Sequence, residues 1–165
     1  MSNSYRRPSI GSRSQREDEL VDRRGWLLAF IAAPADNARF LTDQIRIMKG
    51  LFLLSKEGPA DLRDLYAFEP YDYGPFDKQV YKDLDALEQM GLIASERVPG
   101  SNRRSFRTTP QGDHRFDEIR ASAKPETLAA VDQAKALVCS MGFMRLLRYV
   151  YERHPDFAVS SIVNR

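Results

Sequence analysis

The sequence predicts an α+β chain, mostly helical with one small β-hairpin, and three observations predict it. From Trp26 onward, apolar residues recur through most of the chain at spacings of three and four, as helices with one buried face require. Around residues 92–108 that period changes to two, in two short runs that flank Pro99-Gly100-Ser101-Asn102. Proline and glycine punctuate the joints between these segments.

Element by element, residues 1–23 are rich in Ser, Arg, Asn and Gly and nearly free of apolar side chains, which predicts a disordered basic tail. Order is expected from about Arg24, where Trp26-Leu27-Leu28-Ala29-Phe30-Ile31 is too continuous for an amphipathic helix and predicts a short buried one, ended by Pro34. A second helix is expected over 42–56. Thr42 is its candidate N-cap, Ile45, Met48, Leu51 and Phe52 lie on its apolar face, and Gly58-Pro59 stops it. Residues 60–67 read as a short third helix, with Leu62, Leu65 and Tyr66 on one side. The tract 68–75 then breaks any helix.

The next helix is expected to open at Pro75 or Phe76 and to run to Met90, with Gly91 in the position after the cap. Val80, Leu84 and Leu87 face inward in this reading, and Lys78, Gln79, Lys82, Asp83, Asp85, Ala86 and Gln89 face out. Residues 92–97 and 104–108 are the strands of the hairpin. Three more helices follow, over 110–121, 125–140 and 143–153.

Helices followed by a hairpin with a basic tip form the element order of a winged helix-turn-helix. The expected organisation is a tail over 1–23, a winged helix-turn-helix domain over 24–121, and a helical extension over 122–165 that packs on the core or on a second copy of the chain. The stretch RIMKGLFLL, the tract YAFEPYDYGPFDKQVYKDLDALEQMGLI and the later LLRYVYERHPDFAVSSI resemble the YwgA-like small bacterial proteins, relatives of the Panacea (SocA-type) antitoxin-associated domain. The resemblance covers roughly residues 25–165, and Tyr73-Gly74-Pro75-Phe76 leading into Val80, Tyr81 and Leu84 carries most of it. DLDALEQMGLI followed by RRSFRTTPQG is also similar to PadR- and MarR-like winged helices, with Thr109-Pro110-Gln111-Gly112 opening the helix after the wing. The resemblance implies a winged-helix core and a place in regulatory or toxin–antitoxin loci, and it implies no catalytic residue.

Composition excludes several functions. The 165 residues hold one cysteine and two histidines, so neither an internal disulfide nor a Cys/His zinc site is expected. No window approaches the roughly 18 consecutive apolar residues of a membrane span. The first residues also lack the apolar core of a secretory signal, so a cytoplasmic protein is expected. Cys139 sits in an apolar run beside Leu137 and Val138, and His114 and His154 have no nucleophile pattern beside them. With no Gly-rich phosphate loop either, the chain is not expected to be an enzyme or to hold a cofactor.

The net charge of +2 is carried entirely by residues 1–24, where six arginines face four acids. Residues 36–94 hold 7 basic and 11 acidic side chains, and residues 95–107 hold 4 and 1. That second zone is the hairpin. Arg97, Arg103, Arg104 and Arg107 around its tip match the planar, bidentate geometry that phosphate oxygens favour. A solvated hairpin whose charges discourage edge pairing would carry the same residues.

Lys78, Gln79 and Lys82 are the positions of the preceding helix nearest a groove, while Asp83, Asp85 and Glu88 would repel a phosphate backbone. The expected function is therefore a DNA-binding regulator or antitoxin-like repressor acting on double-stranded DNA. The alternative is a non-enzymatic interaction module that turns the acidic helix to a protein partner such as a toxin. Two further features stay open: Tyr71, Tyr73 and Phe76 form a recognition surface or staple their turn to the core, and Arg145, Arg148 and Arg153 flank an apolar stripe that packs within the chain or between copies in a homodimer.

Overall fold

The computed structural model describes residues 21–36 and 38–162; the basic N-terminal arm, apart from its last residues, lies outside them. Helix α1 spans Arg23–Ala32, and the Asp22 side chain caps it by accepting from the Gly25 N–H. Helix α1 thus starts slightly before the expected position, because Asp22 is a good cap and Arg23 has a partner in the core. Trp26 to Ile31 are all buried, as the unbroken apolar run required.

Helix α2 spans Gln44–Glu57. Its N-cap is Asp43 rather than the expected Thr42: the Asp43 carboxylate accepts from the Arg46 N–H at 3.0 Å and from the Arg46 guanidinium at 2.7 Å. A charged acceptor satisfying both groups outcompetes a hydroxyl one residue earlier. Residues 46 to 55 of α2 are buried on every side, which makes it the central helix.

The helix expected over 60–67 is reduced to one 3₁₀ turn, Ala60–Leu62. The Ala67 N–H, which a continuing helix would have spent on its own backbone, donates instead to the Asp77 carboxylate at 2.9 Å. Leu62 and Tyr66 still reach the core. The tract read as a plain break contains a small antiparallel hairpin, β1 (Glu69–Tyr71) and β2 (Gly74–Phe76), with Pro70 opposite Pro75. Two prolines are tolerated because no third strand bonds the pair among the described residues, and Gly74 takes the positive φ of +91° that the tight turn demands. Pro75 therefore belongs to a strand, and the next helix starts three residues later.

That helix, α3 (Lys78–Gln89), is capped by Asp77 and ends at Gly91, whose φ is +76°. Strands β3 (Ile93–Arg97) and β4 (Arg104–Thr108) pair antiparallel, with Ile93 opposite Thr108 and Arg97 opposite Arg104. The outer edge of β4 also meets the residues just before α2: Asp43 bridges Ser105, and the Phe106 N–H donates to the Thr42 carbonyl.

Helices α4 (Pro110–Ser122), α5 (Pro125–Ser140) and α6 (Phe143–Arg153) follow, and a 3₁₀ turn, Pro155–Ala158, packs on the β1–β2 hairpin. One apolar core takes residues from α1, α2, α3, α5 and α6. Leu146, Leu147, Val150 and Tyr151 are buried in it, so the stripe of α6 that would have faced a second copy is spent within the chain.

Candidate functional site

The candidate surface is α3 with the β3–β4 hairpin. Burial along α3 corrects the expected helix wheel. Asp83 is completely buried. Its carboxylate accepts from Arg23 Nε at 2.6 Å, Tyr66 Oη at 2.7 Å, Gln79 Nε2 at 2.9 Å and Arg24 Nε at 3.3 Å. Burial pushes this carboxyl upward, yet the hydrogen bonds from Arg23, Tyr66 and Gln79 outweigh it and hold the group below its ordinary value. Burial, and then the bond to Asp83, drive the Tyr66 phenol far up, so it donates throughout the physiological range.

The other acids of this helix are also engaged. Asp77 caps α3 and accepts from Ala67, and Glu88 accepts from Arg104 and from the Ser95 hydroxyl. Of the acids on α3, only Asp85 remains exposed without a hydrogen-bond or ion-pair partner among the described residues. Lys78 and Lys82 are exposed and one turn apart, while Gln79 is half-buried and committed to Asp83.

The hairpin arginines are less free than their number suggests. Arg104 lies over Phe106 and bonds both Glu88 and Ser95. Arg103 comes within 3.6 Å of Asp43, and Arg107 within 3.7 Å of Glu96. Arg97 bonds the tip itself, donating to the Ser101 carbonyl and the Asn102 side chain. All four stay at least partly open to solvent, and ion pairs this exposed are worth little energetically. Lys78 and Lys82 lie on α3, and the four arginines lie on the β3–β4 hairpin that follows it directly. Six basic side chains there (Lys78, Lys82, Arg97, Arg103, Arg104, Arg107) face three acids that are not buried (Asp85, Glu88, Glu96).

Sequence reasoning missed Asp83 as a buried anchor, although the signal was present. Position 83 lies three after Val80 and four before Leu87, inside the stripe those residues define. It also missed two buried lysines. Lys135 caps the end of α1 through the carbonyls of Ile31 and Ala33, and Lys49 lies against the β1–β2 hairpin at 5% exposure.

Tyr71 stacks on Phe76, and Tyr73 meets Phe143 edge-on, so these rings do tie their turn to the body. Cys139 is fully buried, and burial drives its thiol upward. His154 and Arg153 pair with Glu57, and His114 is exposed beside Glu118. Among the described residues no cluster of His, Cys, Asp and Glu is arranged to hold a metal, and no helix is long and apolar enough to cross a membrane. Compared with protein-family models, with curated proteins and with solved structures, the chain matches none.

Proposed function

We propose that the chain is a DNA-binding regulator built on a winged helix-turn-helix, with α3 as the groove-facing helix and β3–β4 as the wing. The element order supports this reading: α1, a single bridge at Asp43, α2, α3, then two strands whose outer edge takes the bridge. It departs from the usual motif in one respect. Twenty residues, 58–77, separate α2 from α3, where a helix-turn-helix usually has about three or four.

One observation carries the reading. Burial of Asp83 and pairing of Glu88 remove the negative charge that argued against α3, and leave Lys78 and Lys82 exposed with Asp85 as their only unpartnered acid among the described residues. Phosphate contacts from these lysines and from Arg97 and Arg107 would supply a salt-dependent attraction. Fluorescence anisotropy on DNA from upstream of the chain's own gene, with a scrambled duplex as control, tests it. Selective binding is expected, and Lys78→Ala with Lys82→Ala should lower the salt slope by about 2, close to one unit per lost phosphate contact. Binding that ignores sequence, or a slope unchanged in the double variant, refutes the assignment.

A second reading, a protein-interaction module without DNA contact, is favoured by the internal partners of Arg103, Arg104 and Arg107, which lower the free positive charge of the hairpin. Under that reading the chain retains a stoichiometric protein partner on purification and has no DNA selectivity.

A further inference from the structure

A pocket of about 120 Å³ lies between α2, the β1–β2 hairpin and the start of α3. Met48 and Lys49 come from α2, Tyr71, Tyr73 and Phe76 from the hairpin, and Tyr81 from α3. Four of these six side chains are aromatic. Tyr71 and Tyr73 are about half exposed, at 54% and 47%, and form the outer wall.

Lys49 is the feature that needs an explanation. It is 5% exposed, and among the described residues its ammonium has one hydrogen bond, to the Pro75 carbonyl at a long 3.4 Å. An ammonium has three N–H donors, so two are left over inside an aromatic wall. No carboxylate lies within ion-pair distance of it among the described residues, and the Asp43 carboxylate is already occupied by Arg46. The hairpin backbone at Gly74 packs beside the lysine stem, close enough that a Cβ there would touch Lys49 Cε, Leu147 and Tyr151 at 3.4 Å. The hairpin thus holds the ammonium in place. A buried cation short of partners is costly, and burial, opposed in part by the charge of Asp43, brings this lysine down to about 8.

We propose that this pocket binds a small organic monocarboxylate, its carboxylate on the Lys49 ammonium and its apolar body against Met48, Phe76 and Tyr81. The anion supplies the acceptors that the spare N–H groups lack, and the aromatic walls take a body of limited size. A cavity of about 150 Å³ takes a benzene ring, so this smaller pocket takes an apolar body of about five carbons at most. The site touches α3 through Tyr81 and its approach through Phe76, one residue before the Asp77 cap. Occupancy therefore sets the position of the helix end that carries Lys78 and Lys82. This regulatory consequence rests on the DNA-binding reading; the binding itself does not.

Isothermal titration calorimetry with hexanoate and 4-methylpentanoate as probes, and hexanamide as the neutral counterpart, tests the pocket. Saturable 1:1 binding of a carboxylate is expected, at least tenfold weaker for the amide and lost in Lys49→Met. The wild type supplies a second readout that needs no variant. With Lys49 near 8, binding at pH 8.5 should draw up to about 0.8 proton from buffer per ligand, seen as a dependence of the heat on buffer ionisation.

Failure of both carboxylates to saturate, equal binding of amide and acid, or full binding by a folded Lys49→Met overturns the proposal. In the anisotropy assay, a saturating carboxylate should shift the affinity for DNA at least fivefold in the wild type and not in Lys49→Met. An unchanged affinity refutes the coupling alone. Carboxylate binding without any DNA binding refutes the regulator and leaves the pocket standing.

Discussion

Asp83→Asn isolates what the buried carboxylate does, because it keeps the size and removes the charge. In the native chain the carboxylate accepts from two arginines, a tyrosine and a glutamine at 2.6–3.3 Å. An asparagine offers one accepting oxygen and turns an NH₂ toward groups that are themselves donors. Arg23 and Arg24 have side chains 39% and 47% exposed, so they return to water at little cost. Tyr66 does not, being 8% exposed. Its stranded hydroxyl, together with the loss of a charge-assisted bond, sets the scale: about 1–3 kcal/mol for the unsatisfied group and about 1.5–3 for the bond. Because asparagine keeps one acceptor, about 3 kcal/mol in all is expected, the lower end for breaking a buried ion pair.

For a chain of this length that is a fall of roughly 6–12 °C in the thermal midpoint, read by circular dichroism and by urea titration. Asp85→Asn, two residues on and exposed, should stay within about 0.5 kcal/mol. The pH dependence follows from the sign of the shift. A carboxyl held below its unfolded value contributes fully above about pH 4 and loses its contribution as pH falls through the folded value. The gap between wild type and Asp83→Asn should therefore be constant near neutrality and close in acid. A loss under about 1 kcal/mol, or a gap that widens in acid, would refute the account of this cluster.

Gly112→Ala should destabilise by more than about 3 kcal/mol, since a Cβ there would lie 1.9 Å from the Leu92 carbonyl oxygen. Gly100→Ala, with open space but a φ of +73°, should cost only about 1–2 kcal/mol, and equal losses in urea titrations would contradict this. Thr109→Ala removes a cap that accepts from Gly112 and donates to the Gly91 carbonyl. It should cost about 1–2 kcal/mol, with Thr109→Ser restoring most of that loss. Lys49→Met should be more stable than wild type at pH 7. The advantage should shrink by about 3 kcal/mol between pH 8 and 10.5, because burial lowers the folded lysine to about 8 and the unfolded chain keeps its proton longer. A pH-independent difference would show that the lysine is not desolvated.

Legibility followed the range of the interaction that decides each element. Local signals sufficed for the C-terminal end of α3 at Gly91, the β3–β4 strands and the start of α4 at Pro110, where period and turn chemistry lie within a few residues of one another. Long-range bonds decided the misses. The 60–67 segment has helical spacing, but Asp77, ten residues on, takes the Ala67 N–H. Thr42 is a reasonable cap in isolation, but its carbonyl accepts from Phe106 of β4. The β1–β2 hairpin was hidden by its prolines, which argue against a strand until it is known that no third strand bonds the pair among the described residues.

The same distinction governs the charges, and it decides how the surface is understood. Counting acids along α3 finds four and makes the helix a poor partner for a polyanion. Pairing them assigns Asp77 to a cap, Asp83 to the core and Glu88 to Arg104, and the helix presents two lysines and one aspartate. Counting arginines around the hairpin finds four and makes it a strong anion site. Pairing them sets three of the four beside Asp43, Glu88 and Glu96, and the hairpin presents less than its formal charge. The two corrections have opposite signs, so they move the centre of available positive charge from the hairpin tip toward the N-terminal half of α3. Lys78→Ala and Lys82→Ala should therefore cost more DNA affinity than Arg103→Ala and Arg104→Ala, the reverse of the ranking that formal charge implies.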